Sequence, residues 1–190
     1  MTPAMPSVRR PDVPTRQPPA FPGPATPLSG GQRWVVGIGE LKVSNRSDDT
    51  IVTHGLGSCV AVSIWDPTTR AGGLLHYLLP EARINAGRAA MQPEAFADTG
   101  IPRLVGAALA LGLDCTRARV KLVGGAEIVG LANASLNIGR RNALAAKRIV
   151  WRAGLFVAGE VLGGTDARTV TMRMSDGVLI VRAGGVDQSL

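Results

Sequence analysis

Nine of the 13 prolines fall within the first 33 residues of this 190-residue chain, and that asymmetry bounds what can fold. A stretch punctuated by proline from Pro3 to Pro27 lacks the backbone donors that a helix or an internal strand needs. Residues 1–32 are therefore expected to be an extended, flexible tail, and residues 33–190 a single domain. About 155 residues are enough to bury a core without disulfide or metal staples.

Composition narrows the class. Hydrophobic residues make up 45% and charged residues 18%, which excludes a disordered chain. Aromatics are only 4%, so the core must come from Val, Leu, Ile and Ala. The formal charge of +7 favours an acidic partner. With few rings to stack on bases and no basic stripe on one element, nucleic acid is not the expected partner. Cys59 and Cys115 are too few for a disulfide framework. Arg9, Arg10 and Arg16 are not followed by an apolar run, so no secretory signal is read. The apolar run Leu104 to Leu113 is too short to span a bilayer, and no membrane insertion is expected. The reading is a reduced, cytoplasmic protein.

Along the domain, Trp34 to Glu40 reads as a strand interrupted by glycine, Thr50 to Thr53 as a short strand, and Ser58 to Trp65 as a β-branched strand. Asp66 to Thr69 carries turn chemistry, and Gly73 to Leu79 returns as the second arm of a hairpin. Residues 81–97 read as irregular. Thr99 to Leu111 is a predicted helix, with Asp98 as its cap and Gly112 as its stop. Val120 to Val123 is a strand, and Arg141 to Ala153 a second helix. Leu155 to Val161 is another strand, and a hairpin turns around Ser175-Asp176-Gly177. The sum is an α+β domain with two main helices.

The chemistry concentrates in Thr53-His54-Gly55-Leu56-Gly57-Ser58-Cys59-Val60, followed by His76. Glycines at 55 and 57 open backbone conformations closed to other residues, so N–H groups can converge beside a nucleophile. His76 falls on the neighbouring arm of the expected hairpin, within reach of Cys59, and could activate the thiol. Thr53 could orient the far nitrogen of His76, as the third member of a triad does. A buried structural cysteine is the competing reading of the spacing alone.

The run Thr-x-Gly-Leu-Gly-Ser-Cys-Val, with His76 and Leu78-Leu79-Pro80, resembles the chemoreceptor glutamine deamidase (CheD) family. Further segments agree in order: Gly37-Ile38-Gly39-Glu40, Phe96-Ala97-Asp98-Thr99, Lys121 to Ala126, Asn137-Ile138-Gly139 with Arg141-Asn142, and Gly163-Gly164 with Arg168. The resemblance covers residues 34–182. It implies a three-layer α-β-β sandwich of mixed sheets, like that of other cysteine-dependent deamidases. It also implies amide hydrolysis at glutamines of chemoreceptor cytoplasmic domains, no cofactor, and a CheC-type phosphatase as a regulatory partner. Carried onto this chain, Cys59 is the nucleophile, His76 the base and acid, and Thr53 the residue orienting His76. The backbone at Gly57 and Ser58 supports the oxyanion.

Other readings are weaker. A regulator that binds a phosphatase or receptor without catalysis is the rival from another class. Zinc at His54, Cys59 and His76 lacks paired ligand spacing, and Gly37-Ile38-Gly39 and Gly124-Gly125 complete no phosphate-loop pattern. His54 departs from the family pattern and is expected to face solvent. Cys115 is expected to be a packed thiol, Asn137 and Asn142 to shape a loop or meet substrate, and Arg140, Arg141, Lys147 and Arg148 to form a solvated basic face. Deleting residues 1–30 should leave a soluble domain with unchanged far-UV circular dichroism. An insoluble product would show that the tail belongs to the domain.

Overall fold

The computed structural model describes residues 30–127 and 137–190. The proline-rich stretch expected to be a tail lies outside the described residues. The first strand, β1, is Arg33–Val36. It is followed by β2 (Glu40–Ser44), β3 (Thr50–Leu56), β4 (Val60–Trp65) and β5 (Gly72–Tyr77). A short helix α1 (Ala86–Met91) and the longer α2 (Ala97–Ala110) lead to β6 (Arg119–Gly124). Helix α3 (Ile138–Arg152) then precedes β7 (Phe156–Leu162), β8 (Arg168–Arg173), β9 (Leu179–Ala183) and β10 (Val186–Ser189).

The strands form two five-stranded mixed sheets, in the orders β1-β3-β8-β9-β10 and β2-β5-β4-β6-β7. Strands β4 and β5 are buried on both faces. That explains why their sequences are near-continuous apolar runs rather than alternations. On β4, Val60, Val62 and Ile64 pack under Ile101, Leu104 and Ala108 of α2 and Ala145, Ala146 and Val150 of α3. Ala61 and Trp65, on the opposite face of β4, meet Ile51, Val170, Met172 and Leu179 of the other sheet. Helices, sheet and sheet therefore stack as three layers, the expected α-β-β sandwich of the α+β class.

Three local readings are corrected by packing. Trp34 to Glu40 is two strands, not one: β1 pairs with β3 and β2 with β5, so the chain changes sheet at Gly37–Gly39. Gly39 makes that corner with φ of +76°, and its N–H donates to His76 O at 2.7 Å. Residues 81–97 are not irregular throughout, because α1 and two single-turn 3-10 segments, Ala82–Asn85 and Pro93–Ala95, lie there. Asp98 does not cap α2. The helix starts two residues earlier, at Ala97, Phe96 occupies the cap position, and the Asp98 carboxylate accepts the Ala82 N–H. In the first turn Asp98 still favours the helix through the macrodipole.

The β4–β5 hairpin is fastened at its turn by Asp66, which is fully buried. Its carboxylate accepts from Thr68 N, Asp114 N, and the Arg117 Nε and Nη2. Those donors hold its carboxyl well below the usual carboxylate range against the opposing effect of burial. Asp66→Ala should cost about 2–4 kcal/mol in denaturant unfolding, because it strands several donors. The stabilisation from the lowered titration is complete above the ordinary carboxylate range and is lost as pH falls through the depressed one. The difference between wild type and Asp66→Ala should therefore narrow only in strong acid, and a gap that closes near pH 5 would contradict the assignment.

Candidate active site

Strand alternation brings three chemically competent side chains into the layer between the sheets. On β5, Leu75 and Tyr77 point toward the helices, whereas Leu74 points between the sheets; the period of two puts His76 with Leu74. On β3, Ile51 lies between the sheets, and Thr53 shares its face. Cys59 joins the same inter-sheet cluster from the turn before β4. Thr53 and His76 are both 0% exposed and Cys59 is 6% exposed, so the three side chains lie almost wholly out of water.

The Thr53 hydroxyl links the two sheets. Its Oγ1 donates to Val36 O at 2.7 Å and lies 2.8 Å from His76 Nδ1. A hydroxyl has one proton. Because that proton goes to Val36 O, Thr53 accepts from His76, so Nδ1 carries hydrogen and Nε2 is left bare. Nε2 is buried and has no hydrogen-bond partner among the described residues. The register sets His76 opposite Ala61. Cys59, two residues before Ala61 and on its face, is thus a diagonal neighbour of His76, a spacing of roughly 7–8 Å between α-carbons in an antiparallel pair. No hydrogen bond joins the sulfur to Nε2 in this resting arrangement, a looseness common before substrate binds.

The turn carrying Cys59 is held from behind. Gly55 adopts φ of +68°, and Gly57 N–H donates to Gly55 O at 3.0 Å. Gly57 O accepts from Ala126 N at 2.9 Å and Cys59 O from Gly125 N at 2.7 Å. Gly124 is required there, because a Cβ would sit 2.3 Å from Cys59 O. The Gly124-Gly125 pair thus packs closely against the Cys59 turn. The Gly57 N–H is engaged with Gly55 O, whereas among the described residues the N–H groups of Ser58 and Cys59 have no backbone acceptor.

Burial governs the electrostatics. It pushes the Cys59 thiol up; its own backbone N–H and then the Arg88 guanidinium pull the other way without reversing the shift. Burial lowers His76 to about 4. Near neutrality the pair therefore rests as thiol and neutral imidazole rather than as a preformed ion pair. Such a pair can run amide hydrolysis by passing the thiol proton to Nε2 as sulfur attacks carbon.

The remaining candidates sit elsewhere. His54 is exposed and its Nδ1 lies 3.4 Å from Thr169 Oγ1, away from the inter-sheet layer. Cys115 is half-buried against the helix-side core. Asn137 caps α3 by accepting the Arg140 N–H. Lys147 and Arg148 pair with Glu160 and Glu81, so part of the basic face is internally balanced. Among the described residues, no group of three or more His, Cys, Asp or Glu side chains could hold a metal ion, and no helix is long and apolar enough to cross a membrane. Sequence reasoning missed the acceptor of the Thr53 proton, because Val36 reaches it only through the parallel β1–β3 pairing. It gave Asn142, at the start of the second helix, a loop-shaping or substrate-binding role, and missed that Asn142 is buried with its Nδ2 donating to Ser58 O and Leu78 O.

Comparison with known proteins agrees with this architecture. The family described as "CheD chemotactic sensory transduction" has a model that matches residues 78–183. A probable chemoreceptor glutamine deamidase CheD from Solibacter usitatus is 38% identical over 159 residues, covering 84% of this chain and 94% of the relative. One from Syntrophus aciditrophicus is 39% identical, covering 80% and 94%. A third, from Anaeromyxobacter dehalogenans, is 42% identical, covering 78% and 93%. The family match begins after Thr53, Cys59 and His76, so the roles of those three rest on the geometry above.

The electrostatics make a prediction. Alkylation of Cys59 by iodoacetamide should be slow at neutral pH and accelerate only above the ordinary thiol range, read by peptide mass spectrometry from pH 5 to 11. A rate already at its plateau at pH 6 would mean a thiolate–imidazolium pair.

Proposed function

The chain belongs to the CheD family, and from that premise we propose that it hydrolyses glutamine side-chain amides of chemoreceptor cytoplasmic domains to glutamate. The observation that carries the reading is the Thr53 hydroxyl, which donates to Val36 O and so holds His76 with Nε2 free to act as a base.

In this reading the deamidase unit is residues 33–190. Cys59 Sγ attacks the carboxamide carbon while its proton moves to His76 Nε2. The carbonyl π pair moves onto oxygen, where the Ser58 and Cys59 N–H groups meet it. The pair then returns to carbon, the carbon–nitrogen bond breaks, and ammonia leaves with the proton from Nε2. Water, deprotonated by Nε2, adds to the thioester and releases glutamate and the thiol. Thr53 supplies orientation without charge. That fits a base whose titration is lowered by burial. The reaction consumes only water, and Cys59, His76 and Thr53 are sufficient for each proton transfer.

Incubation with a receptor cytoplasmic fragment should add about one dalton at defined glutamines, and Cys59→Ala should abolish the shift. Cys115→Ala should leave the rate unchanged. Thr53→Val, which keeps the shape but loses both hydrogen bonds, should lower kcat about 10²-fold. Activity should fall in acid as Nε2 protonates near pH 4, the side on which a lowered histidine loses its base form. Full activity of Cys59→Ala would remove the mechanism.

A further inference from the structure

The peptide joining Ser58 to Cys59 is gripped by its carbonyl. Three successive carbonyls of the turn are anchored: Gly57 O by Ala126 N at 2.9 Å, Ser58 O by Asn142 Nδ2 at 2.9 Å, and Cys59 O by Gly125 N at 2.7 Å. Two of these donors are backbone. Only the middle one depends on a side chain. Asn142 is 0% exposed, and its second amide proton goes to Leu78 O at 2.9 Å, two residues beyond His76. One carboxamide therefore ties the turn of the nucleophile to the strand of the base.

Asn142 is itself firmly placed. Its backbone carbonyl accepts from Tyr77 Oη at 2.6 Å. One turn earlier on α3, Gly139 packs so closely that a Cβ would lie 2.5 Å from Gly125 O and 2.6 Å from Ala126 O. The start of the helix is thus pressed onto the same Gly125-Ala126 segment that holds Gly57 and Cys59.

A planar trans peptide points its C=O and N–H in opposite directions. No cis peptide occurs among the described residues. With Ser58 O drawn toward α3, the Cys59 N–H must face away from α3, into the inter-sheet layer. The orientation does not follow from the glycines, because this peptide turns about ψ of Ser58 and φ of Cys59, and neither residue is glycine.

We infer that Asn142 is a positioning residue for the oxyanion site, holding Ser58 O so that the Cys59 N–H is aimed at the oxygen formed when Cys59 attacks an amide. It touches neither sulfur nor substrate. The inference rests on the reading of Cys59 as the nucleophile.

The test separates oxyanion chemistry from simple thiol reactivity. Attack on a carboxamide builds charge on oxygen; displacement of iodide from iodoacetamide builds none there. For Asn142→Ala and Asn142→Ser, kcat for receptor deamidation should fall about 10²-fold. The KM, and the alkaline plateau of Cys59 alkylation, should stay within about threefold. Unchanged deamidation in either folded variant would overturn the inference, and so would equal loss of deamidation and plateau alkylation. If both variants fail to show a cooperative thermal transition, the wild type decides. A peptide aldehyde in place of the target glutamine should form a hemithioacetal on Cys59 and shift the Cys59 amide resonance, and a resonance that does not move would overturn it. A wild-type protein that neither deamidates nor captures the aldehyde would instead defeat the Cys59 reading itself.

Discussion

A single threonine hydroxyl spans the gap between the two sheets. Thr53 belongs to the sheet of β1 and β3, and His76 to the sheet of β5 and β4. The 2.8 Å contact between them is a polar bond inside a layer built mainly from valine, leucine, isoleucine and methionine. Its direction depends on a third partner, Val36 O, which takes the hydroxyl proton. Without the parallel pairing of β1 on β3, the hydroxyl could donate to the imidazole instead, and the bare nitrogen would be the wrong one. The tautomer of the base is therefore a product of sheet topology. A buried hydroxyl and a buried imidazole would each be costly alone; joined, they are tolerated within a dry interface.

The Cys59 turn is held from the opposite side. The Gly124–Ala126 segment leaves β6 and turns back under the Cys59 turn, donating two backbone bonds to it. Glycine is needed at 124 because another backbone, not a side chain, fills the space where a Cβ would stand. The start of α3 presses on this same segment and adds the Asn142 side chain. His76 and the Cys59 turn thus receive their positions from different places: His76 from Thr53 of the facing sheet, the Cys59 turn from the segment after β6 and from α3. The β4–β5 hairpin between them sets the distance, and Asp66 secures that hairpin at its far end.

Burial that orders the site also sets its chemistry. The thiol is raised and the imidazole lowered by the same loss of water. An ion pair is therefore not the resting state, and charge develops only as substrate is attacked. In such a site the main stabilisation falls on oriented dipoles around the forming oxyanion rather than on a standing charge. A neutral threonine as the third residue is consistent with that balance, whereas a carboxylate would add a buried charge that needs its own partner.

Much of this was legible in the chain. Period-two and continuous apolar runs marked β4, β5 and the β8–β9 hairpin, and the glycine-punctuated run before Val60 marked the nucleophile turn. Thr53, Cys59 and His76 could be named together through the resemblance to the CheD family, since spacing alone left a buried structural cysteine as a competing reading. The strand break at Gly37–Gly39 was not legible, since a sheet change looks locally like an interrupted strand. Nor was the start of α2 at Ala97, because Asp98 resembles a cap until Ala82 is seen to donate to it. The sequence by itself determined which groups are available and which elements carry them, because hydrophobic period and glycine placement are local properties. Only the tertiary structure decided which imidazole nitrogen is free and which way the Cys59 N–H points. Both follow from carbonyls and side chains contributed by distant segments, Val36 for the first and Asn142 for the second.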